Sequence, residues 1–473
     1  MHLLQCLLAL SSGVSAFIPY TLELPPDSSE SVPQRRSSSG DRPKSLVIRR
    51  VPVRRDNQYK MLHSQNSSTP NTAALDQDGN DRSYISAVNV GSQNQTLWML
   101  LDTGAGNTWL FASDCTTEAC KMHNTFGEQA SSSLQMTGDR WNVGYGTGKV
   151  SGFLGSDTLS IANLEVEMTF GLASDASDEL KSYPMDGILG LGRAEKGVFG
   201  HDTFMDVVAK KELLKSNIVS VSLSRGQDKI QDGSVTFGDV DKSKFTGDIT
   251  YTDTVKNTDQ WRIPLDDASV DGSACQFSEK SAIMDTGTSF MLIPPADAKA
   301  LHGKIPGAKP YSDTGYLLPC DSTAEVNLTF SGVSYTISPK DYVGSKTNDN
   351  CVSTIVGKSI FGDDIWLVGD VFLKNVYTVF DFDKSRIGLA QRTYATDSKG
   401  SDSNSNPTTG SGSEATTTST AMTGEISSTG ATSSSTSSSS SSNETASGEA
   451  SNIGPRFSWP ILTALCVVGL GLM

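Results

Sequence analysis

Histidine and closely spaced cysteines are scarce in this sequence. Only 5 of the 473 residues are histidine, and neither a histidine cluster nor a CxxC pair accompanies the 7 cysteines. Zinc sites are built from such groups, so we expect no metal and no other cofactor. Basic residues are also outnumbered, 38 against 53 acidic ones, and the net charge of −15 argues against nucleic acid as a partner.

Helical periodicity is sparse as well, and the best helical candidate is Thr203–Leu214. Residues 72–395 instead contain short runs rich in Val, Ile, Phe and Tyr. Gly, Asn and Asp interrupt these runs roughly every 8 to 12 residues. The pattern favours an all-β architecture.

Charge is nearly absent from the first residues of the chain. Residues 1–16 form an apolar run that is too short to span a bilayer and that ends in small residues, although no Lys or Arg precedes it. This arrangement predicts a secretory signal peptide. A buried N-terminal helix is the alternative reading.

Residues 453–473 are apolar apart from a short polar start, and small residues precede them. This combination predicts a GPI-attachment signal, with the lipid on Asn452 or Gly448. A retained tail anchor is the alternative, and either one would hold the protein at a membrane. We therefore expect the outer face of the plasma membrane, and leave open a later linkage to the cell wall.

Residues 396–452 are mostly Ser, Thr, Gly and Asn. Such a segment has too little apolar surface to offset the entropy of ordering, and in a secreted protein it is typical of an O-glycosylated stalk. Four sequons for N-glycosylation agree with a secretory route: Asn66, Asn94, Asn327 and Asn443.

Residues 17–55 carry eight basic and four acidic side chains, a net charge of +4 on an otherwise acidic protein. We predict a pro-segment that docks electrostatically on the body and is then removed, with its end between residue 55 and about residue 70. An incidental basic linker is the alternative. Possible processing points are the dibasic pairs Arg35-Arg36, Arg49-Arg50 and Arg54-Arg55.

An internal repeat dominates the region between these segments. Residues 100–106 and 283–289 both have two apolar residues, then Asp-Thr-Gly, then small residues. Each copy is followed by two apolar residues and a glycine, at 188–190 and at 367–369. Two copies predict two similar lobes, residues 72–250 and 251–395, neither of which completes an active site alone.

Asp-Thr-Gly after an apolar run places a carboxylate at the tip of a buried strand, where glycine permits a sharp turn and a close approach. The hydroxyl of Thr103 or Thr286 can lock one turn to its twin. Asp102 and Asp285 would then share one proton, so that the ionised member activates a water and the protonated member polarises a carbonyl oxygen. A single Asp-Thr-Gly could equally be a surface turn, but two matched copies favour amide hydrolysis.

These segments together resemble the pepsin-like aspartic proteases over about residues 72–395. Residues 143–148 are similar to that family's flap, and the two apolar-apolar-Gly segments are similar to its paired core motifs. The signal peptide, basic pro-segment, stalk and anchor resemble the surface-anchored fungal members, including the yapsin type. The resemblance implies a bilobal all-β fold with a substrate cleft between the lobes.

The resemblance also assigns roles to individual residues. Asp102 and Asp285 would flank the attacking water. Tyr145 would close over an extended peptide substrate and bond Trp109 through its hydroxyl, while the backbone of Gly146 and Thr147 would pair with the peptide. The residues implied around the dyad are Gly104, Gly287 and Thr288, with Thr103 and Thr286 as structural support.

The resemblance also concerns the cysteines, and the sequence differs from many members of the family at two positions near the site. The resemblance implies the bridges Cys115–Cys120 and Cys320–Cys351, and leaves Cys275 unpaired. Ala105 stands where many relatives have a hydroxyl that bonds the carboxylate, so we expect a raised pKa of the dyad and a less acidic optimum. Thr147 stands where relatives that accept lysine before the scissile bond often carry aspartate, so this position does not support basic specificity.

The sequence thus predicts a secreted, surface-anchored aspartic endopeptidase that acts on extended peptides and proteins at acidic pH. Its expected partners are these substrates, its own pro-segment and, through the lipid anchor, the membrane. The alternative is a cell-wall or adhesion protein that retains the protease fold without needing its catalysis, because a stalk and an anchor also suit an adhesin.

Overall fold

The structure is a computed structural model that describes residues 59–145, 148–193 and 199–393. The strands of its first part are β1 (Thr72–Ala74), β2 (Asp76–Gln77), β3 (Tyr84–Val90), β4 (Gln95–Asp102), β5 (Trp109–Phe111), β6 (Gln135–Tyr145), β7 (Gly148–Ile161), β8 (Leu164–Ala176), β9 (Gly187–Gly190), β10 (Ile218–Ser222), β11 (Ser234–Phe237) and β12 (Phe245–Asp253). The later strands are β13 (Arg262–Leu265), β14 (Asp267–Val270), β15 (Ser273–Ala274), β16 (Lys280–Met284), β17 (Met291–Ile293), β18 (Lys309–Pro310), β19 (Tyr316–Leu318), β20 (Val326–Phe330), β21 (Val333–Ile337), β22 (Val343–Thr347), β23 (Asn350–Ser353), β24 (Ile355–Gly357), β25 (Ile365–Val368), β26 (Val376–Asp381) and β27 (Arg386–Arg392).

The helices are short. They are α1 (Glu118–Met122), α2 (Phe204–Lys210), α3 (Pro295–His302), α4 (Pro339–Tyr342) and α5 (Asp370–Leu373), with 3₁₀ turns at Asp178–Ser182 and Gly226–Asp228. The predicted all-β class is therefore confirmed. Among the described residues, no helix has the length and apolar character needed to cross a bilayer.

Helix α2 is shorter than the predicted Thr203–Leu214. Thr203 caps its start by a capping box with Asp206, as its sequence position favours. The helix ends at Lys210, and Glu212 has a φ of +51°, a left-handed conformation that a continuing helix cannot contain. The prediction continued past Glu212 because it was based on apolar periodicity alone.

Three sheets organise the site. An eight-stranded sheet has the order β2-β3-β4-β9-β5-β8-β7-β6, and a five-stranded sheet has the order β13-β16-β25-β17-β24. A six-stranded sheet, β1-β11-β10-β26-β27-β12, takes strands from both halves of the chain. Strands alternate as a half-buried surface requires: along β20, Val326, Leu328 and Phe330 are buried while the residues between them are partly exposed.

The internal repeat of the sequence is also a repeat of strand pairing. In the eight-stranded sheet, β4 pairs parallel with β9, β9 antiparallel with β5, and β5 parallel with β8. In the five-stranded sheet, β16 pairs parallel with β25, β25 antiparallel with β17, and β17 parallel with β24. The two Asp-Thr-Gly turns therefore follow equivalent strands, β4 and β16, of two similar lobes.

Residues 59–71 pack onto the first lobe, upstream of the expected lobe boundary at residue 72. Leu62 and Gln77 form an antiparallel bridge, and His63 Nδ1 lies 2.8 Å from Asp76 Oδ2. The Tyr59 ring stacks on His123 at 5.4 Å. These contacts attach residues 59–71 to the first lobe, while the end of the pro-segment stays a prediction.

Candidate active site

The two Asp-Thr-Gly turns interlock through their threonines. Thr103 Oγ1 donates to Met284 O at 3.0 Å, and Thr286 Oγ1 donates to Leu101 O at 2.6 Å. Each hydroxyl also accepts from the opposite backbone: Thr286 N donates to Thr103 Oγ1 at 3.0 Å, and Thr103 N to Thr286 Oγ1 at 3.2 Å. Four buried hydrogen bonds thus join equivalent strand tips of the two lobes.

The glycines of the turns make room for the carboxylate of the other lobe. A Cβ on Gly104 would lie 2.6 Å from Asp285 Cγ, and a Cβ on Gly287 would lie 2.7 Å from Asp102 Cγ. Neither distance is compatible with a side chain, because the neighbouring group is a carboxylate held in place by hydrogen bonds. Glycine is therefore required here by close approach rather than by a positive φ.

The two carboxylates are buried, and their hydrogen-bond donors are distributed differently over the carboxylate oxygens. Asp102 Oδ1 accepts from Gly104 N at 2.8 Å and from Ala105 N at 3.2 Å. Asp285 Oδ1 accepts from Gly287 N at 2.8 Å, and Oδ2 accepts from the Thr288 hydroxyl at 2.6 Å. No backbone or hydroxyl donor among the described residues reaches Asp102 Oδ2, because Ala105 has no hydroxyl to offer.

This difference separates the acid strengths of the pair. Burial and the negative charge of Asp285 raise the pKa of Asp102 well above its usual range. Burial also raises the pKa of Asp285, but the hydroxyl of Thr288 and the amide of Gly287 oppose that rise by stabilising the ionised form. The geometry favours Asp102 as the protonated member and Asp285 as the ionised member.

Tyr145 ends strand β6 above an apolar cluster of the first lobe. Its hydroxyl accepts a hydrogen bond of 2.5 Å from Trp109 Nε1, the contact that the resemblance implied. Burial and the charge of Asp102 raise the pKa of Tyr145, so the phenol stays neutral beside the dyad. Buried side chains that pack in the same cluster include Leu100, Phe111, Leu180, Met185 and Ile188. Gly146 and Thr147, which were expected to bind the substrate backbone, lie outside the described residues.

Phe290 is a site residue that the sequence interpretation missed. It directly follows the second Asp-Thr-Gly-Thr-Ser segment and packs against the apolar clusters of both lobes. The one available signal was its position, an aromatic residue immediately after a catalytic-type turn. Ser289, the preceding residue, donates its hydroxyl to Arg82 O in the other lobe at 2.5 Å.

The remaining predicted residues lie away from the dyad. The structure contains the disulfides Cys115–Cys120 and Cys320–Cys351, and Cys275 is a half-buried free thiol. Asn66 and Asn94 are exposed, whereas Asn327 is half-buried and donates its amide to Glu325 O at 3.3 Å. Asn443, Asn452 and Gly448 lie outside the described residues, so their modification stays a prediction.

The paired strands, the interlocked turns and the two buried carboxylates define an aspartic protease. Residues 83–392 match the family described as eukaryotic aspartyl protease, so the chain belongs to that family and is an aspartic-type endopeptidase. The range includes both Asp-Thr-Gly turns and Tyr145.

Similar proteins carry matching descriptions. The chain is 51% identical over 454 residues to "Aspartic-type endopeptidase ctsD" of Aspergillus fumigatus, a match that covers 90% of this chain and 96% of that protein. It is 49% identical over 355 residues to "Probable aspartic-type endopeptidase CTSD" of Arthroderma benhamiae, covering 74% and 69% of the two chains. It is 31% identical over 354 residues to "Cathepsin D" of Dictyostelium discoideum, covering 72% and 90%.

The threonine interlock predicts a large stability effect from a nearly isosteric change. Thr286→Val leaves Leu101 O and Thr103 N without their partners in a buried interface, which should cost about 2–4 kcal/mol of unfolding free energy. Urea unfolding followed by tryptophan fluorescence measures this loss.

The matched control is Thr336→Val, because the Thr336 hydroxyl donates to Asn327 Oδ1 at 2.6 Å on an exposed face. We expect this control to cost less than about 1 kcal/mol. Equal small losses in both variants would show that the threonine interlock does not hold the lobes together.

Proposed function

We propose that the protein is a secreted, surface-anchored endopeptidase of the yapsin-like layout that cleaves extended peptides in proteins at acidic pH. The observation that carries the catalytic part of the proposal is the unequal pair of buried carboxylates, Asp102 and Asp285, joined across the lobes. Secretion and anchoring are supported by the sequence of the two ends of the chain, the Ser/Thr-rich segment and the sequons.

In the proposed mechanism, a water molecule binds between the two carboxyl groups. The ionised Asp285 removes a proton from this water as it attacks the peptide carbonyl, and the protonated Asp102 donates a hydrogen bond to the carbonyl oxygen. Asp285 then passes the proton that it took from the water to the amide nitrogen, the C–N bond breaks to release the amine and the carboxylic acid, and Asp102 keeps its proton. No covalent bond to the enzyme forms, because the attacking group is the water molecule.

Substrate placement follows from the surroundings of the dyad. The apolar cluster that packs with Tyr145 would form one wall of the subsite for a hydrophobic side chain next to the scissile bond. Tyr145 stands at the end of a hairpin formed by β6 and β7, so movement of that hairpin would admit and then cover an extended peptide. The open edge of such a hairpin suits β-type pairing with the substrate backbone.

Catalysis is tested by removing one carboxylate at a time. Asp102→Asn and Asp285→Asn should each lower kcat/KM on a generic protein substrate by at least about 10³-fold, since each removes an acid or base from the reaction. The same variants should leave the pro-segment uncleaved when the zymogen is incubated alone at mild acid.

Substrate cleavage and maturation of these variants distinguish an active protease from an adhesion protein. If wild type and both variants cleave substrate and mature at the same rate, catalysis does not use this dyad. Asp114→Asn serves as the control, because Asp114 is exposed and lies on the outer surface of the first lobe.

Ala105 predicts a less acidic optimum than a hydroxyl at this position would give. In Ala105→Ser, a hydroxyl would hydrogen-bond the ionised form of Asp102, and a group that favours the ionised form lowers the pKa. The high-pH limb of the kcat/KM profile, which reports ionisation of the protonated Asp102, should then move to lower pH by about half a unit to one unit, and the optimum should move with it. Ala130→Ser, on the loop between α1 and β6, is the control. An unchanged profile in Ala105→Ser would contradict the assignment.

Anchoring is tested on intact cells that produce the full chain. A phosphatidylinositol-specific phospholipase should release active protease into the medium, and a chain that ends after residue 395 should be secreted without treatment. Protease that resists the phospholipase but is extracted by detergent would indicate a retained tail anchor instead.

A further inference from the structure

Trp261 occupies a buried position between the lobes that no repeat of the sequence marks. It directly precedes β13, has no exposed surface, and packs against Phe380 at 5.2 Å and Phe382 at 4.8 Å between ring centres. Both phenylalanines belong to or follow β26, a strand of the six-stranded sheet that the two halves of the chain share. The indole is therefore held firmly on the side of the second lobe.

Two hydrogen bonds connect Trp261 to the backbone behind the two aspartates. Its indole Nε1 donates to Leu191 O at 3.0 Å, and its own carbonyl accepts from Met284 N at 2.9 Å. Leu191 N donates to Asp102 O at 2.7 Å, and Met284 is the residue before Asp285. Trp261 thus reaches the backbone behind Asp102 through its side chain and the backbone behind Asp285 through its own carbonyl.

These contacts close a ring of hydrogen bonds across the lobes. The ring runs from Asp102 to Leu191, on to Trp261 and then to Met284. It returns through Thr103 Oγ1, which donates to Met284 O, and Thr103 is bonded to Asp102 along the chain. A closed ring resists shear better than the threonine contacts alone, because moving one lobe must break bonds on both sides of the dyad.

Arg193 fixes the outer side of this ring. Its guanidinium lies 5.4 Å from the centre of the Trp261 ring, and it follows Leu191 by two residues. Nη1 donates to Thr254 Oγ1 and Nη2 donates to Ser385 Oγ, both at 2.9 Å. Thr254 follows β12 and Ser385 precedes β27, so Arg193 fastens a segment of the first lobe to the shared sheet.

We propose that Trp261 and Arg193 are positioning residues that set the separation of Asp102 and Asp285. The proposal rests on the proposed function, in which these two carboxylates share the catalytic proton. Neither Trp261 nor Arg193 touches the carboxyl groups in the described contacts; both act through the backbone of Leu191 and Met284.

The separation of the carboxylates has a direct kinetic consequence. Two carboxyl groups that share a site titrate in two steps, and their mutual repulsion sets the gap between the two apparent pKa values. By Coulomb's law at an effective dielectric constant of about 20, widening a contact of about 3 Å by about 1 Å closes that gap by about one pH unit. A looser pair of lobes therefore gives a narrower bell-shaped profile of kcat/KM.

The experiment compares the pH profiles of full-length zymogens matured in the same way. Trp261→Phe keeps an aromatic ring in the core but removes the bond to Leu191 O. Arg193→Gln removes the guanidinium fork while leaving the buried indole in place. We expect each variant to bring the two limbs of the profile closer by about half a pH unit or more, with a several-fold lower kcat at the optimum.

Two controls separate positioning from general loss of packing. Trp366→Phe also removes a buried indole donor, but its bond to Asp297 Oδ2, at 2.8 Å, stays within the second lobe. Lys210→Gln removes a cation that pairs with Asp202 at 2.5 Å on the surface of the first lobe, away from the β6–β7 hairpin. We expect Trp366→Phe to lower the thermal stability. In both controls, the pH separation between the two limbs of the kcat/KM profile should stay unchanged.

Each result decides the proposal. A smaller pH separation between the two limbs of the kcat/KM profile in Trp261→Phe or Arg193→Gln, beyond any change in the controls, supports the proposal. If Trp261→Phe does not fold, Arg193→Gln alone decides. The proposal is overturned if both variants keep the wild-type pH separation between the limbs, whatever stability they lose. Wild-type protein with no dyad-dependent cleavage would instead contradict the proposed function, which the aspartate variants test separately.

Discussion

The exchange of hydrogen bonds between Thr103 and Thr286 is the constraint on which the active site depends. Each carboxylate stands at the end of a strand that belongs to only one lobe, and burial alone would favour keeping two such groups apart. The threonines bring the turns together because each hydroxyl both donates and accepts across the interface. Once the turns are joined, the carboxylates interact at short range, and one of them must keep its proton.

The dyad was predictable because a duplication leaves a trace in the residue types. Asp102 and Asp285 sit in matched segments, and the strand pairing of β4 with β9 is repeated by β16 with β25. The all-β class followed for a similar reason, since short apolar runs separated by turn residues are the ordinary pattern of strands. Local chemistry and the internal comparison were sufficient for both.

Other features could not be predicted, because they depend on backbone groups or on distant packing. The role of Leu191 is carried by its amide and carbonyl, which every residue except proline also possesses. Residues 59–71 have no strong pattern, and they are ordered by single contacts such as that of Leu62 with Gln77. Helix α2 ended early because Glu212 turns left-handed, which the apolar spacing did not indicate.

The reciprocal fit of Gly104 and Gly287 has a consequence for how this protein can change over generations. Each glycine leaves the space that the carboxylate of the other lobe occupies. A substitution in one turn therefore displaces the catalytic carboxylate of the other half. The halves are therefore inherited as a matched pair, although they are encoded far apart. Positions outside that reciprocal contact are free to diverge, and the equivalent residues Ala105 and Thr288 have diverged in whether a hydroxyl reaches the carboxylate.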